Sequence, residues 1–184
     1  MNTKLKTHLI RQRSLLALLV LVIIVAVLNP KFITPDNLFN IFRQTSVNAV
    51  IAVGMTLVIL TAGIDLSVGS ALALTGAFAA SMIAADISVW LVVPTILIIG
   101  ALLGSFSGIL AKGGIQPFIA TLVTMTLLRG VTMVYTDGRP ISTGFTDNAD
   151  AFAAIGVGDL AGVPVPVWIM AVVFLLAWYL LKHT

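Results

Sequence analysis

Cysteine and glutamate are both missing from the 184 residues, and only two histidines occur. The first absence excludes disulfides and thiol chemistry and removes redox as a guide to compartment. The others leave seven aspartates as the only acidic residues, scattered between apolar stretches, with His8 and His183 in the two terminal tails. No side chains have metal-ligand spacing and nothing sets a histidine beside a serine, so neither a metal site nor a catalytic triad is expected. The glycine-rich segment Gly108 to Gly114 contains Lys112, but it lacks the GxxxxGK[ST] order that wraps phosphates. If ATP drives this protein, another subunit binds it. No cofactor and no catalytic residue is expected.

Charge is scarce as well. Charged residues make up 9% and hydrophobic residues 59%, against the roughly 25% charged of soluble domains. The intervals Ser14 to Pro30, Gln44 to Ile64, Leu66 to Ala85, Ile87 to Ala111 and Leu160 to Leu181 hold no charge, and Pro117 to Tyr135 is interrupted only by Arg129. Uncharged runs near 20 residues match a hydrocarbon core about 30 Å thick. They are continuously apolar rather than alternating, which favours helices over a barrel. The expectation is an all-α polytopic bundle: one transmembrane domain over residues 1–184, about six spans, and a long loop at residues 136–163.

The positive-inside rule sets the expected orientation. Lys4, Lys6, Arg11 and Arg13 carry the amino-terminal tail with no acid among them, which places it in the cytoplasm. Six crossings then leave Lys112 and Lys182 inside, and put outside the 136–163 loop with its four aspartates and single Arg139. Lys31 and Arg43 fall on the outer side against the trend. The basic balance is therefore a topology signal and not a sign of nucleic acid. The first 28 residues have a basic region and an apolar run, but Asn29-Pro30-Lys31 follows with no small-x-small cleavage site, so an uncleaved first helix is expected over a signal peptide.

Small residues recur from Val68 to Ala85, with Gly69, Ala73 and Ala77 four apart and Gly76 alongside; Gly100, Gly104 and Gly108 repeat the spacing in the next span. Such stripes let helix backbones approach closely in lipid, so packing is their expected role. Asp65, in AGIDLSVGS, has two readings. It caps the helix beginning near Val68 while Gly63 closes the helix before it in a left-handed conformation, or it marks a break at membrane depth where its carboxylate and Ser67 face a polar solute. Arg129 either snorkels to the outer interface or faces a cavity and pairs with Asp65 or Asp137. Asn48, Thr56 and Thr61 suit interhelical hydrogen bonds or a hydroxyl-accepting path. Trp90, Trp168 and Trp178 lie near span ends, as an interfacial belt requires.

Three segments carry a resemblance: TSVNAVIAVGMTLVILTAGIDLSVGS (45–70), QPFIATLVTMTLLRG (116–130) and GRPISTGFTDNAD (138–150). From about Ser14 onward the chain resembles the membrane permease subunits of ribose-type sugar ABC importers. The resemblance implies a bacterial inner-membrane protein that pairs with a second copy, receives a monosaccharide from a periplasmic binding protein, and is driven by a cytoplasmic ATP-binding subunit. Asn48, Asp65, Ser67 and Arg129 become candidate pathway residues, and Asp137, Arg139, Asp147 and Asp150 candidate contacts for the binding protein. Gln116 departs from a proline common in such permeases. The stop at Lys182-His183-Thr184 leads us to expect an amino-terminal part of a longer protein. An ion-coupled secondary transporter or channel is the competing class, for which only Asp65 and Arg129 supply intramembrane ionisable groups.

Overall fold

A computed structural model describes residues 13–183. The basic tail with Lys4, Lys6, Arg11 and His8 lies outside the described residues. Contacts divide the chain into a first unit ending at Gln44 and a second beginning at Thr45.

The first unit contains α1 (Arg13–Leu28) and a 3-10 turn (Pro30–Ile33). Asn29 starts that turn by accepting from the Lys31 N–H at 3.1 Å. A second helix, α2 (Pro35–Leu60), then opens with proline at a first-turn position, where its missing N–H costs no helical bond. The expected start at Gln44 is therefore nine residues late. Asp36 and Arg43 misled the charge count, because both lie in the helix itself.

The second unit holds α3 (Val68–Ala84), α4 (Val89–Lys112), α5 (Pro117–Tyr135), α6 (Asp147–Val157) and α7 (Val165–His183). Between α6 and α7, Asp159–Leu160 (β1) pairs antiparallel with Val163–Pro164 (β2). The two-residue turn there has Ala161 at φ 53° and Gly162 at φ 73°, the doubly positive pattern of tight hairpins.

The architecture is all-α and polytopic. Among the described residues, four helices, α2, α4, α5 and α7, are long and apolar enough to cross a membrane; α1 and α3 are apolar but shorter. With 17 residues, α3 reaches only about 26 Å at ~1.5 Å per residue, short of a ~30 Å core. The expected span began at Leu66; Leu66 and Ser67 instead belong to a non-helical approach.

Four helices end alike. After α2, α3, α4 and α5 the chain turns left-handed at Ala62 (φ 58°), Asp86 (φ 56°), Gly114 (φ 95°) and Asp137 (φ 50°). The N–H groups of Gly63, Ile87, Ile115 and Gly138 then reach back five residues to Val58, Met82, Leu110 and Met133 carbonyls, the Schellman closure. The left-handed residue after α2 is thus Ala62 and not Gly63. Gly63 matters for space, since a Cβ there would lie 3.1 Å from Val58 Cγ1.

Within this unit α3 packs against both α4 and α5. It does so through Leu74, Thr75, Ala79 and Ile83, all buried. The stripe singled out in the sequence lies elsewhere on the helix: Gly69, Ala73 and Gly76 are exposed and Ala77 is half-buried. A Cβ added at Gly69, Gly76, Gly100, Gly104 or Gly108 would meet no atom within 4 Å. Among the described residues, no neighbouring atom packs closely against these glycines.

One apolar cluster closes the α3–α4 end. Ala79, Ile83, Val92 and Ala149 form its buried centre, with Met82, Ile87, Val89, Ile96 and Phe152 against it. Ala149 and Phe152 come from α6, so the expected 136–163 loop contains a helix seated on this turn. Thr146 caps α6 by accepting from the Ala149 N–H at 3.2 Å. Asn148 Nδ2 donates to the Asp86 carboxylate at 2.9 Å and to the Asp86 carbonyl at 3.2 Å.

Candidate functional site

The opposite ends of α3, α4 and α5 build a different surface. Between α2 and α3 the chain leaves helical geometry from Gly63 to Leu66. Asp65 Oδ1 accepts from both the Ser67 N–H (2.7 Å) and the Ser67 hydroxyl (2.6 Å). The carboxylate therefore braces the residue preceding Val68 and bonds to none of the first helical N–H groups among the described residues. Ser67 is buried at 3% exposure, and its hydroxyl proton is committed to Asp65.

This break is not at the helix ends. Thr121 Oγ1 donates to the Ile64 carbonyl at 3.1 Å, and Thr121 lies four residues after Pro117. Ser107, beside the same space, lies five residues before Lys112. At ~1.5 Å per residue the break is level with points about 6 to 8 Å inside the ends of α4 and α5.

The space is a cavity of about 260 Å³ lined by Thr61, Asp65, Gly104, Ser107, Gly108 and Thr121 among others. Gly104 and Gly108, one turn apart, keep it open. The Ser107 hydroxyl is buried without a hydrogen-bond partner.

A second cavity, about 420 Å³, is lined by Leu66, Gly69, Ser70, Ala73, Met125, Arg129, Thr132 and Met133. Arg129 is exposed and, among the described residues, forms no ion pair with Asp65 or Asp137. It lies eight residues beyond Thr121 on α5, about 12 Å along the axis. Hence the candidate pathway residues are not gathered into one site. Asp65 and Ser67 share the first region, Arg129 lines the second, and Asn48 is exposed on α2, lining neither cavity. Sequence reasoning missed Ser107 and Thr121, whose polar atoms are hidden within apolar runs. Ser70 and Thr132, in the second cavity, were missed for the same reason.

The candidate binding-protein contacts are all exposed. Asp147 and Asp150 occupy the first turn of α6, where negative charge also complements the helix dipole. Asp137 is the left-handed residue closing α5, and the Arg139 N–H donates to the Thr136 carbonyl at 3.0 Å. Gln116 precedes α5; its carbonyl accepts from Ile119 and Ala120 while Pro117 occupies a first-turn position. Trp90 lies at the start of α4. Trp168 donates to the Leu160 carbonyl at 3.1 Å, and the Trp178 ring lies under Lys182 Nζ at 4.9 Å.

Residues 37–184 match the family described as branched-chain amino acid transport system, permease component. The ribose import permease protein of Haemophilus influenzae is 64% identical over 184 residues, covering all of this chain and 57% of that protein. The ribose import permeases of Escherichia coli K12 and Bacillus subtilis are 61% and 51% identical, over 97% and 92% of this chain and 56% and 52% of their own lengths. The chain thus spans little more than half the length of these relatives. No solved structure matches it.

Proposed function

Since the chain belongs to the family of branched-chain amino acid transport system permease components, we propose that it is the membrane-spanning permease part of an ATP-driven importer for ribose or a related monosaccharide. The observation that carries this reading is the 64% identity to a ribose import permease along the whole chain. The chain is a transport subunit without catalytic residues of its own. It resides in the bacterial inner membrane with its amino terminus in the cytoplasm, works as a pair of copies, draws power from a cytoplasmic ATP-binding subunit, and takes sugar from a periplasmic binding protein.

In this orientation the Asp65 cavity opens toward the cytoplasm and α6 faces the periplasm. Arg129, Ser70 and Thr132 offer hydrogen bonds to sugar hydroxyls along the outer part of the path. Asn48 contributes from α2 where the second copy and the remaining helices complete that path. Weak contacts serve a path better than tight ones, because the solute must also leave. Asp147, Asp150, Asp137 and Arg139 form the outer docking surface. Gly69, Ala73, Gly76 and Ala77, with Gly100, receive helices of a partner copy or of other importer segments.

The test is a chimera in which this chain replaces the matching part of the Haemophilus influenzae ribose permease, expressed in cells lacking their own. Ribose uptake that needs the binding protein and ATP is the expected outcome. Asp65→Asn in the chimera lowers uptake at least several-fold with unchanged membrane level. Uptake that survives loss of both partners but collapses with the ion gradient would identify an ion-coupled carrier instead.

A further inference from the structure

We infer that the cavity beside Asp65 binds a monovalent alkali cation, with the second carboxylate oxygen of Asp65 and the Ser107 hydroxyl among its ligands. The inference is independent of which solute the protein carries.

Hydrogen-bond bookkeeping leads to it. Both bonds to the Asp65 carboxylate fall on Oδ1, which leaves Oδ2 available. Thr61 spends its hydroxyl proton on the Val58 carbonyl at 2.7 Å. Thr121 spends its own on the Pro117 carbonyl at 2.9 Å and the Ile64 carbonyl. A hydroxyl has one proton, so both threonines can offer the cavity only lone pairs. Ser107 is the exception to a local habit. Thr56, Thr75, Thr124 and Thr126 each donate to the carbonyl four residues earlier, whereas Ser107 Oγ, on a residue 5% exposed, has no partner. A buried polar atom left unpaired is a cost that a bound ligand removes.

The lining therefore combines acceptor oxygens and one carboxylate with the uncommitted Ser107 hydroxyl, whose oxygen also offers lone pairs, and no basic residue is among them. That set repels anions and suits a hard cation, which oxygen ligands favour. A single carboxylate matches a single positive charge, whereas protein sites for calcium recruit several carboxylates. About 260 Å³ leaves room for an ion that keeps some of its water, each water taking roughly 30 Å³.

The experiment is thermal unfolding of the full chain in detergent, in sodium, potassium or choline chloride at equal ionic strength and without sugar. Sodium or potassium should raise Tm saturably, by about 3 °C over choline, the size expected when a site is filled well above its Kd. Asp65→Asn should abolish the rise. Ser107→Ala should reduce it, and Gly108→Leu, which fills the cavity without removing an oxygen, should do the same. Equal Tm in all three salts would overturn the inference and leave the cavity to water. A rise undiminished in all three variants would place the cation elsewhere and overturn it too. Should one variant fail to fold, the others decide: a rise reduced in those that fold supports the site, a rise undiminished in them rejects it, and a linear or absent wild-type response rejects it in any case. With sugar absent throughout, the outcome does not depend on the permease reading.

Discussion

The two ends of α3 are finished in opposite ways. At its carboxyl end, apolar side chains from α4 and α6 cover Ile83 and Val92 completely, and Asn148 ties α6 to Asp86. At its amino end, a non-helical approach leaves a cavity, a half-buried carboxylate and an orphan hydroxyl. Small local differences produce this contrast. The α3–α4 turn needs only Asp86 in a left-handed conformation, which aspartate tolerates better than most residues. The α2–α3 junction interposes non-helical residues, and the Ile64 carbonyl finds its partner in Thr121 on α5. One end is built to hold shape and the other retains unspent polar capacity.

The strongest way to break this comparison is to weaken the closed end. Ile83→Ala removes a fully buried side chain and should cost about 3 kcal/mol, measured by denaturant unfolding in detergent. A loss below about 1 kcal/mol would mean that the cluster does not hold the end together. Ser107→Ala acts oppositely at the open end. In choline chloride it should be neutral or stabilising by up to ~2 kcal/mol, because it deletes an unpaired buried hydroxyl; clear destabilisation there would show that the hydroxyl has a partner. Asn148→Ala should cost about 1 kcal/mol and speed hydrogen exchange across α6 while leaving α7 unchanged. Gly76→Leu should have the smallest effect. With no atom within 4 Å of a Cβ there, stability of this chain should shift by less than ~1 kcal/mol, whereas assembly with a longer partner should fail if the stripe receives another helix.

Much of this was legible in the sequence, because hydropathy reports on burial in lipid one helix at a time. The apolar runs located α3, α4, α5 and α7 to within a few residues. The start of α2 was not legible, since Pro35 and Asp36 begin a helix by local chemistry that a charge count ignores. Nor was α6. Its apolar face, Ala149 and Phe152, covers only one turn of the bundle, too short a contact to create a periodic signal. At the candidate site the sequence singled out Asp65, an acid among apolar residues, but it could not separate Asp65 from Arg129. That requires knowing that the two residues line different cavities. Ser107 was hidden for the same reason: a serine in an apolar helix is ordinary until its neighbours fail to satisfy it.

The natural lack of cysteine permits a direct test of the central claim, that the closed end faces outward and the open end inward. Asp150→Cys and Gly108→Cys are exposed single reporters on the two ends. In intact spheroplasts a membrane-impermeant maleimide should label the cysteine at 150, while the one at 108 should react only after permeabilisation. Labelling of 108 in sealed cells, with 150 protected until the membrane is opened, would contradict the account.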